Sequence, residues 1–311
     1  MFKVYITENF DQMSDMAAKC LLGQMVAITA NRDYHLGLAT GNSPTGLYDR
    51  IVAAQDRFDA GKVRSWNLDE YVGLPGETAS ERTQHPESYA YFMISRLFGR
   101  LDPTFAERHV PPGTEIDQKS LELAIQEAGV PLEGTDRGKA VRLNGSMHPY
   151  LNHIQTNMLD RYLNGIPQID TWIVGVGGRG HIAFHESGIP LDYGIMLVRL
   201  DDSTVDNAVA DGHFASRDES PRYAISMGAG GVVNNSKNVL LLANGGRKTE
   251  PIAASLLGGE TADVPISILQ RNIGRDDRHT LYIVDALAAA EILGKEKLLA
   301  DKGITVKDLR T

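Results

Sequence analysis

Two histidines, a carboxylate and four glycines crowd into one stretch of this chain, 169-IDTWIVGVGGRGHIAFHESGIPLD-192. Gly175, Gly177, Gly178 and Gly180 follow an apolar run, and His181, His185 and Glu186 come directly after them. An imidazole gives and takes protons near neutral pH. Glycines let backbone N–H groups approach a ligand with no Cβ in the way. Three other segments carry matching chemistry. The acid pair Asp69–Glu70 can supply a general base. The turn 41-GNSPTG-46, with Thr40, Gly41, Asn42 and Ser43 at its start, leads into a helical pattern, the geometry in which free amides and the helix dipole hold an anion. Lys248, in 246-GRKTEP-251, adds a cation at a second such turn. A base, a proton carrier and an anion cradle are the parts needed to work on a small anionic molecule. Each has a plainer alternative: solvated loop charge, a capped turn, a solvated lysine. Their common position favours function.

That position is the carboxyl end of a strand in every case. The patterns 2-FKVYIT-7, 35-HLGLAT-40, 63-VRSWNL-68, 172–176, 238-NVLLLANG-245 and 280-TLYIVD-285 read as strands, and 222–236 as an apolar strand followed by another glycine-rich turn; several are continuous apolar runs expected of strands buried on both faces. Helical spacing occupies 12–28 (capped by Asp11 or Ser14), 47–58, 86–98, 118–129, 148–165, 246–259 and 286–303, and 69–75 reads as a loop. Strands alternating with helices predict an α/β fold, a three-layer α/β/α sandwich with a mostly parallel, Rossmann-like sheet. In such sheets the ligand crevice lies outside the carboxyl ends of the strands. Residues 1–311 read as a single domain with an elaborated segment near 100–165, since no linker, repeat or low-complexity tract divides them.

Composition narrows the partners. A net charge of −9 argues against nucleic acid or an anionic membrane surface. One cysteine, Cys20, excludes an internal disulfide and a Cys-based zinc cluster and fits a reducing compartment. No membrane-length apolar run and no signal-peptide core appear, so a soluble, cytoplasmic protein is predicted.

The words 39-ATGNSPTGLY-48, 67-NLDEYVGL-74 with 85-HPESYAYFM-93, and 174-VGVGGRGHIAFHE-186 resemble the glucosamine-6-phosphate deaminase family, within the larger group that also holds the 6-phosphogluconolactonases. The segment 238-NVLLLANGGRKTEPI-252 fits that family's lysine-bearing turn. The resemblance implies an isomerase that deaminates an amino-sugar phosphate, with no cofactor and no metal, and with assemblies of varied size up to a homo-oligomer. It implies Asp69 as the base moving a proton between C2 and C1, and His181 as the group assisting ring opening, supported by Glu186. Thr40, Gly41, Asn42, Ser43, Glu70, Gly177, Gly178, Arg179, His185 and Lys248 are the expected substrate-binding residues, the 40–46 turn and Lys248 holding the phosphate.

The chain departs from the family pattern at three places. Arg179 stands where an acid usually precedes the histidine, His185 stands at an asparagine position, and the phosphate-binding arginine has His213 as nearest counterpart, with Arg217 close by. Arg179 is expected either to face the pocket and bind a second anionic group, altering substrate choice, or to turn to solvent or pair with Glu186. A lactonase-type hydrolase and a non-catalytic sugar-phosphate sensor are the alternative functions.

Overall fold

A computed structural model describes Met1–Arg310. Eight strands form one fully parallel sheet in the order Ile304–Asp308, Phe2–Thr7, His279–Asp285, Ser236–Ala243, Ile169–Val174, Tyr34–Leu38, Val63–Asn67, Glu107–His109. Helices flank it, the long Phe10–Thr29 helix packing along several of the central strands. This is the predicted layered α/β architecture. All six residues of Ile169–Val174 are buried, as a strand covered on both faces requires. At the amino ends of the central strands, buried Asp170 accepts hydrogen bonds from Arg32 (2.7 Å), Lys237 (3.0 Å) and the His35 N–H (3.1 Å), which pins three neighbouring segments in register. Among the described residues no helix is long and apolar enough to cross a membrane.

The decisive feature for function is strand order. Ser236–Ala243, Ile169–Val174, Tyr34–Leu38 and Val63–Asn67 are consecutive in the sheet and parallel. Their carboxyl ends therefore emerge side by side. The lysine turn, the glycine turn, the 40–46 turn and Asp69 follow those four ends, although they span some two hundred residues of sequence.

Several elements differ from expectation. Asp69–Val72 is a strand rather than a loop; all four residues are buried, and it pairs antiparallel with Tyr223–Met227. That pair opens a second, five-stranded sheet, continued by Ile195–Arg199 and the hairpin Leu132–Thr135/Gly138–Val141, and lined by its own apolar cluster around Tyr71, Phe184 and Met196. The run at 222–236 thus supplies a strand to this sheet instead of the parallel one. The connectors of the 100–165 segment hide that hairpin, and its 148–165 helix contains a π-helical section, Ile154–Asp160. The first long helix is capped by Asn9, whose side chain accepts from the Gln12 N–H, not by Asp11 or Ser14. Near the carboxyl terminus the predicted 286–303 helix shrinks to Glu296–Asp301. The Asp285 carboxylate draws the Ala288 N–H into a turn, Gly294 takes a positive φ of 75°, and an unforeseen edge strand, Ile304–Asp308, follows.

Candidate active site

Asp69, His181, Lys248 and residues 40–44 line one cavity of about 180 Å³ above the four adjacent strand ends. It adjoins a second of about 540 Å³ that shares Asn42, Ser43, Gly177, His181 and Lys248. The larger space alone falls within the ~300–1,000 Å³ typical of small-molecule sites.

Asp69 begins the second sheet and is 5% exposed. Among the described residues nothing hydrogen-bonds its carboxylate. Burial, reinforced by the charge of Glu70, holds that carboxyl well above the usual carboxylate range. Strand geometry sends successive side chains to opposite faces, so Glu70 points away from the cavity. It is wholly buried and accepts from the Tyr71, Tyr89 and Ala90 N–H groups and the Ser88 hydroxyl, at 2.9–3.0 Å. Burial still pushes its carboxyl up to about 7. Glu70 is therefore no substrate ligand. It fastens the start of the Tyr89–Arg96 helix and so sets Tyr89 in the inner cavity wall.

His181 lies against the glycine turn. A Cβ on Gly177 would stand 1.6 Å from Nε2, so only glycine allows this contact. The Gly177 N–H donates to the His181 carbonyl at 3.0 Å. His181 Nδ1 lies 2.8 Å from the Ala183 carbonyl oxygen. A carbonyl can only accept, so Nδ1 carries the proton and Nε2 is the free base. Ala183 itself has φ 51°, the one positive φ outside glycine among the described residues. That conformation costs energy for a residue with a Cβ and here aims the carbonyl at the imidazole.

Thr40, Gly41, Asn42 and Ser43 all line the inner cavity, Gly41 with φ 90°. Pro44 caps the following Thr45–Ala53 helix without a side-chain bond. The Thr45 N–H closes the turn onto the Asn42 carbonyl at 3.2 Å, so the amides left to a ligand are those of residues 40–43, which line the cavity. The Ser43 hydroxyl donates to Asn244 Oδ1 at 2.7 Å and ties this turn to the lysine turn. Lys248 lines both cavities; burial, with the neighbouring Arg247 charge, lowers its ammonium pKa. Gly178 lines the outer cavity only.

Two expected ligands, His185 and Arg179, line neither cavity, and Glu186, the expected support of His181, lies behind them. His185 is fully buried: its Nδ1 accepts the Ala229 N–H at 2.9 Å and its Nε2 donates to the Ile189 carbonyl at 3.1 Å. Burial depresses its pKa to about 4, so it is a neutral structural joint. Arg179 neither lines a cavity nor pairs with Glu186; its guanidinium donates to Asp201 at 2.5 Å. Glu186, 3% exposed, stands behind the wall and accepts from the Thr204 hydroxyl at 2.6 Å. Burial raises its carboxyl pKa above the usual carboxylate range.

Tyr89 and Phe184 in the inner wall, and Thr204, Asn207, Asp211 and Arg247 in the outer one, are not among the site residues read from the sequence. The outer wall depends on the helix Asp202–Ala210. Its signal was present: Asp201 ahead of Ser203 and Thr204 is an amino-terminal capping pattern. Of the two candidates for the phosphate-binding cation, His213 lines the outer cavity, whereas Arg217 is turned to Asp202 and Asp206. Among the described residues no three His, Cys, Asp or Glu side chains stand together as metal ligands would.

Residues 8–278 match the family model of the glucosamine-6-phosphate isomerases/6-phosphogluconolactonase. The chain belongs to this family. A glucosamine-6-phosphate deaminase of Clostridium perfringens (strain 13 / Type A) is 32% identical over 293 residues, covering 92% of this chain and 98% of the relative. Glucosamine-6-phosphate deaminase 2 of Bacillus subtilis (strain 168) is 31% identical, covering 93% and 97%. Among solved structures, a monomeric glucosamine-6-phosphate deaminase superposes with a TM-score of 0.65 at 23% identity, over 93% of this chain and 99% of that one. The 6-phosphogluconolactonase of Thermotoga maritima gives 0.56 at 16%, over 91% and 99%. These structures share the isomerase/lactonase family's fold.

Proposed function

We propose that the protein converts an amino-sugar phosphate of the glucosamine 6-phosphate type into a ketose phosphate with release of ammonia. The observation supporting this reading is the inner cavity of about 180 Å³, lined together by the buried Asp69, by His181 and by the 40–43 turn. The amides of 40–43 and Lys248 hold the phosphate, with Arg247 and His213 facing the outer cavity beside them. His181 Nε2 moves the proton that opens the ring. Asp69 removes the C2 proton of the open-chain aldose and returns it to C1, giving the C2 imine. Water adds to that imine and ammonia leaves, so the atoms balance without a redox partner. A base held above the ordinary aspartate range abstracts a proton near neutral pH better than an unperturbed one. The ammonium of the substrate, arriving beside Asp69, favours the ionised form that the reaction needs.

Arg179, engaged by Asp201, gives no support to a second anion in the pocket, so an ordinary amino-sugar monophosphate is the preferred substrate. The test is ammonia release and ketose formation from glucosamine 6-phosphate. Replacing Asp69→Asn should lower kcat by roughly 10²–10⁴-fold, the usual contribution of a positioned base. Full turnover in that variant sinks the assignment. Hydrolysis of 6-phosphogluconolactone without ammonia release would favour the lactonase reading, and binding without turnover the sensor.

A further inference from the structure

The helix Asp202–Ala210 is held by very little apolar surface. Only Val205 among its nine residues is buried, with Ala208 and Val209 half-buried against the smaller core cluster. One buried valine offsets a fraction of the conformational entropy lost in ordering nine residues. Yet this helix and its carboxyl cap carry Thr204, Asn207, Ala208 and Asp211, the outer wall of the substrate cavity.

Polar groups at its amino end supply the difference. The Asp201 carboxylate caps the helix, accepting from the Ser203 N–H and the Ser203 hydroxyl at 3.0 Å each. Arg179 donates to the same carboxylate at 2.5 Å. One residue further on, the Thr204 hydroxyl reaches Glu186 at 2.6 Å. The Asp201 side chain is 8% exposed, so without the guanidinium it would be a largely buried carboxylate lacking a countercharge. Arg179 and Glu186 flank His181 in sequence, on the segment that presents the imidazole. The helix is thus fastened at two points to the turn that bears the proton carrier.

We infer that Arg179 is a positioning residue that, through Asp201, clamps the Asp202–Ala210 helix to the glycine turn and so fixes the outer wall of the cavity. The clamp acts on substrate through that helix, since Arg179 lines neither cavity. The inference rests on the proposed sugar-phosphate chemistry only for the identity of the ligand.

Four variants test it: Arg179→Ala, Arg179→Lys, Asp201→Asn, and Arg179→Ala combined with Asp201→Asn. Two measurements are made on each, hydrogen exchange of the 203–210 amides in the free protein and steady-state kinetics with glucosamine 6-phosphate. Arg179→Ala should speed exchange in that helix and raise KM roughly tenfold, equivalent to about 1.4 kcal/mol of lost binding, while kcat holds. Lysine should restore most of the loss, because the contact is through a single N–H group rather than a bidentate fork. Asparagine keeps the cap but not the charge, so Asp201→Asn should match Arg179→Ala, and the double variant should be no worse than either. Unchanged exchange and KM in Arg179→Ala, additive losses in the double variant, or a fall in kcat at constant KM would each overturn the clamp. If the wild-type protein neither binds nor turns over glucosamine 6-phosphate, the proposed activity fails, and the exchange data alone still decide the clamp.

Discussion

Acidifying the protein should weaken it through His185, by an amount that follows from its surroundings. Its Nδ1 accepts the Ala229 N–H and its Nε2 donates to the Ile189 carbonyl, so a second ring proton would meet an amide hydrogen in a site with no solvent access. The folded pKa falls to about 4 from the ordinary 6.5. The unfolded chain therefore takes up a proton first as pH drops. The stabilising contribution is complete above pH 6.5 and drains away as pH falls toward 4. Linkage puts the loss at about 2 kcal/mol by pH 5 and about 3 kcal/mol below pH 4. Urea unfolding at pH 8 and pH 5 measures it, with His185→Gln as reference. A glutamine offers one acceptor and one donor but does not titrate, and the other ionisable groups act alike in both proteins. The wild type should lose about 2 kcal/mol more than the variant between the two pH values. Equal losses would mean that folding leaves the His185 proton affinity unchanged.

Two further outcomes follow from the cavity. Lys248→Ala should raise KM for a phosphorylated amino sugar by about 10–100-fold, the worth of a charge-assisted hydrogen bond, and leave kcat on unphosphorylated glucosamine unchanged; equal losses on both sugars would remove Lys248 from the phosphate. The acid limb of kcat/KM should lie above the ordinary aspartate range, because burial and Glu70 raise the Asp69 pKa and activity needs its ionised form. A limb at the usual carboxylate position would mean Asp69 is not the base.

Much of this arrangement could be read from residue order. Continuous apolar runs announced the parallel strands, and glycine, serine or acid at their ends announced which tips carried chemistry. What pattern alone does not carry is sheet order; the adjacency of four tips is a matter of topology, set by long-range pairing. Nor does it say which member of an acid pair faces inward: Asp69 and Glu70 are neighbours in sequence and opposites in space. His185 misled for a related reason, since a histidine in a motif looks the same whether its nitrogens meet substrate or backbone. The hairpin at 132–141 is hard to read because its strands are four residues each, the first mostly exposed and the second mostly buried, too short for a clear period-two signal. The Asp202–Ala210 helix, with one buried residue, has almost no apolar stripe to detect.

The antiparallel sheet links the hairpin Leu132–Thr135/Gly138–Val141 to the Asp69 carboxylate. Asp69 sits at one margin, opposite Ser226, and Leu132–Thr135 forms the other, with three strands between them. Each rung between them is a main-chain bond indifferent to side-chain identity. Growth at the remote border adds breadth to the molecule without displacing the Asp69 carboxylate.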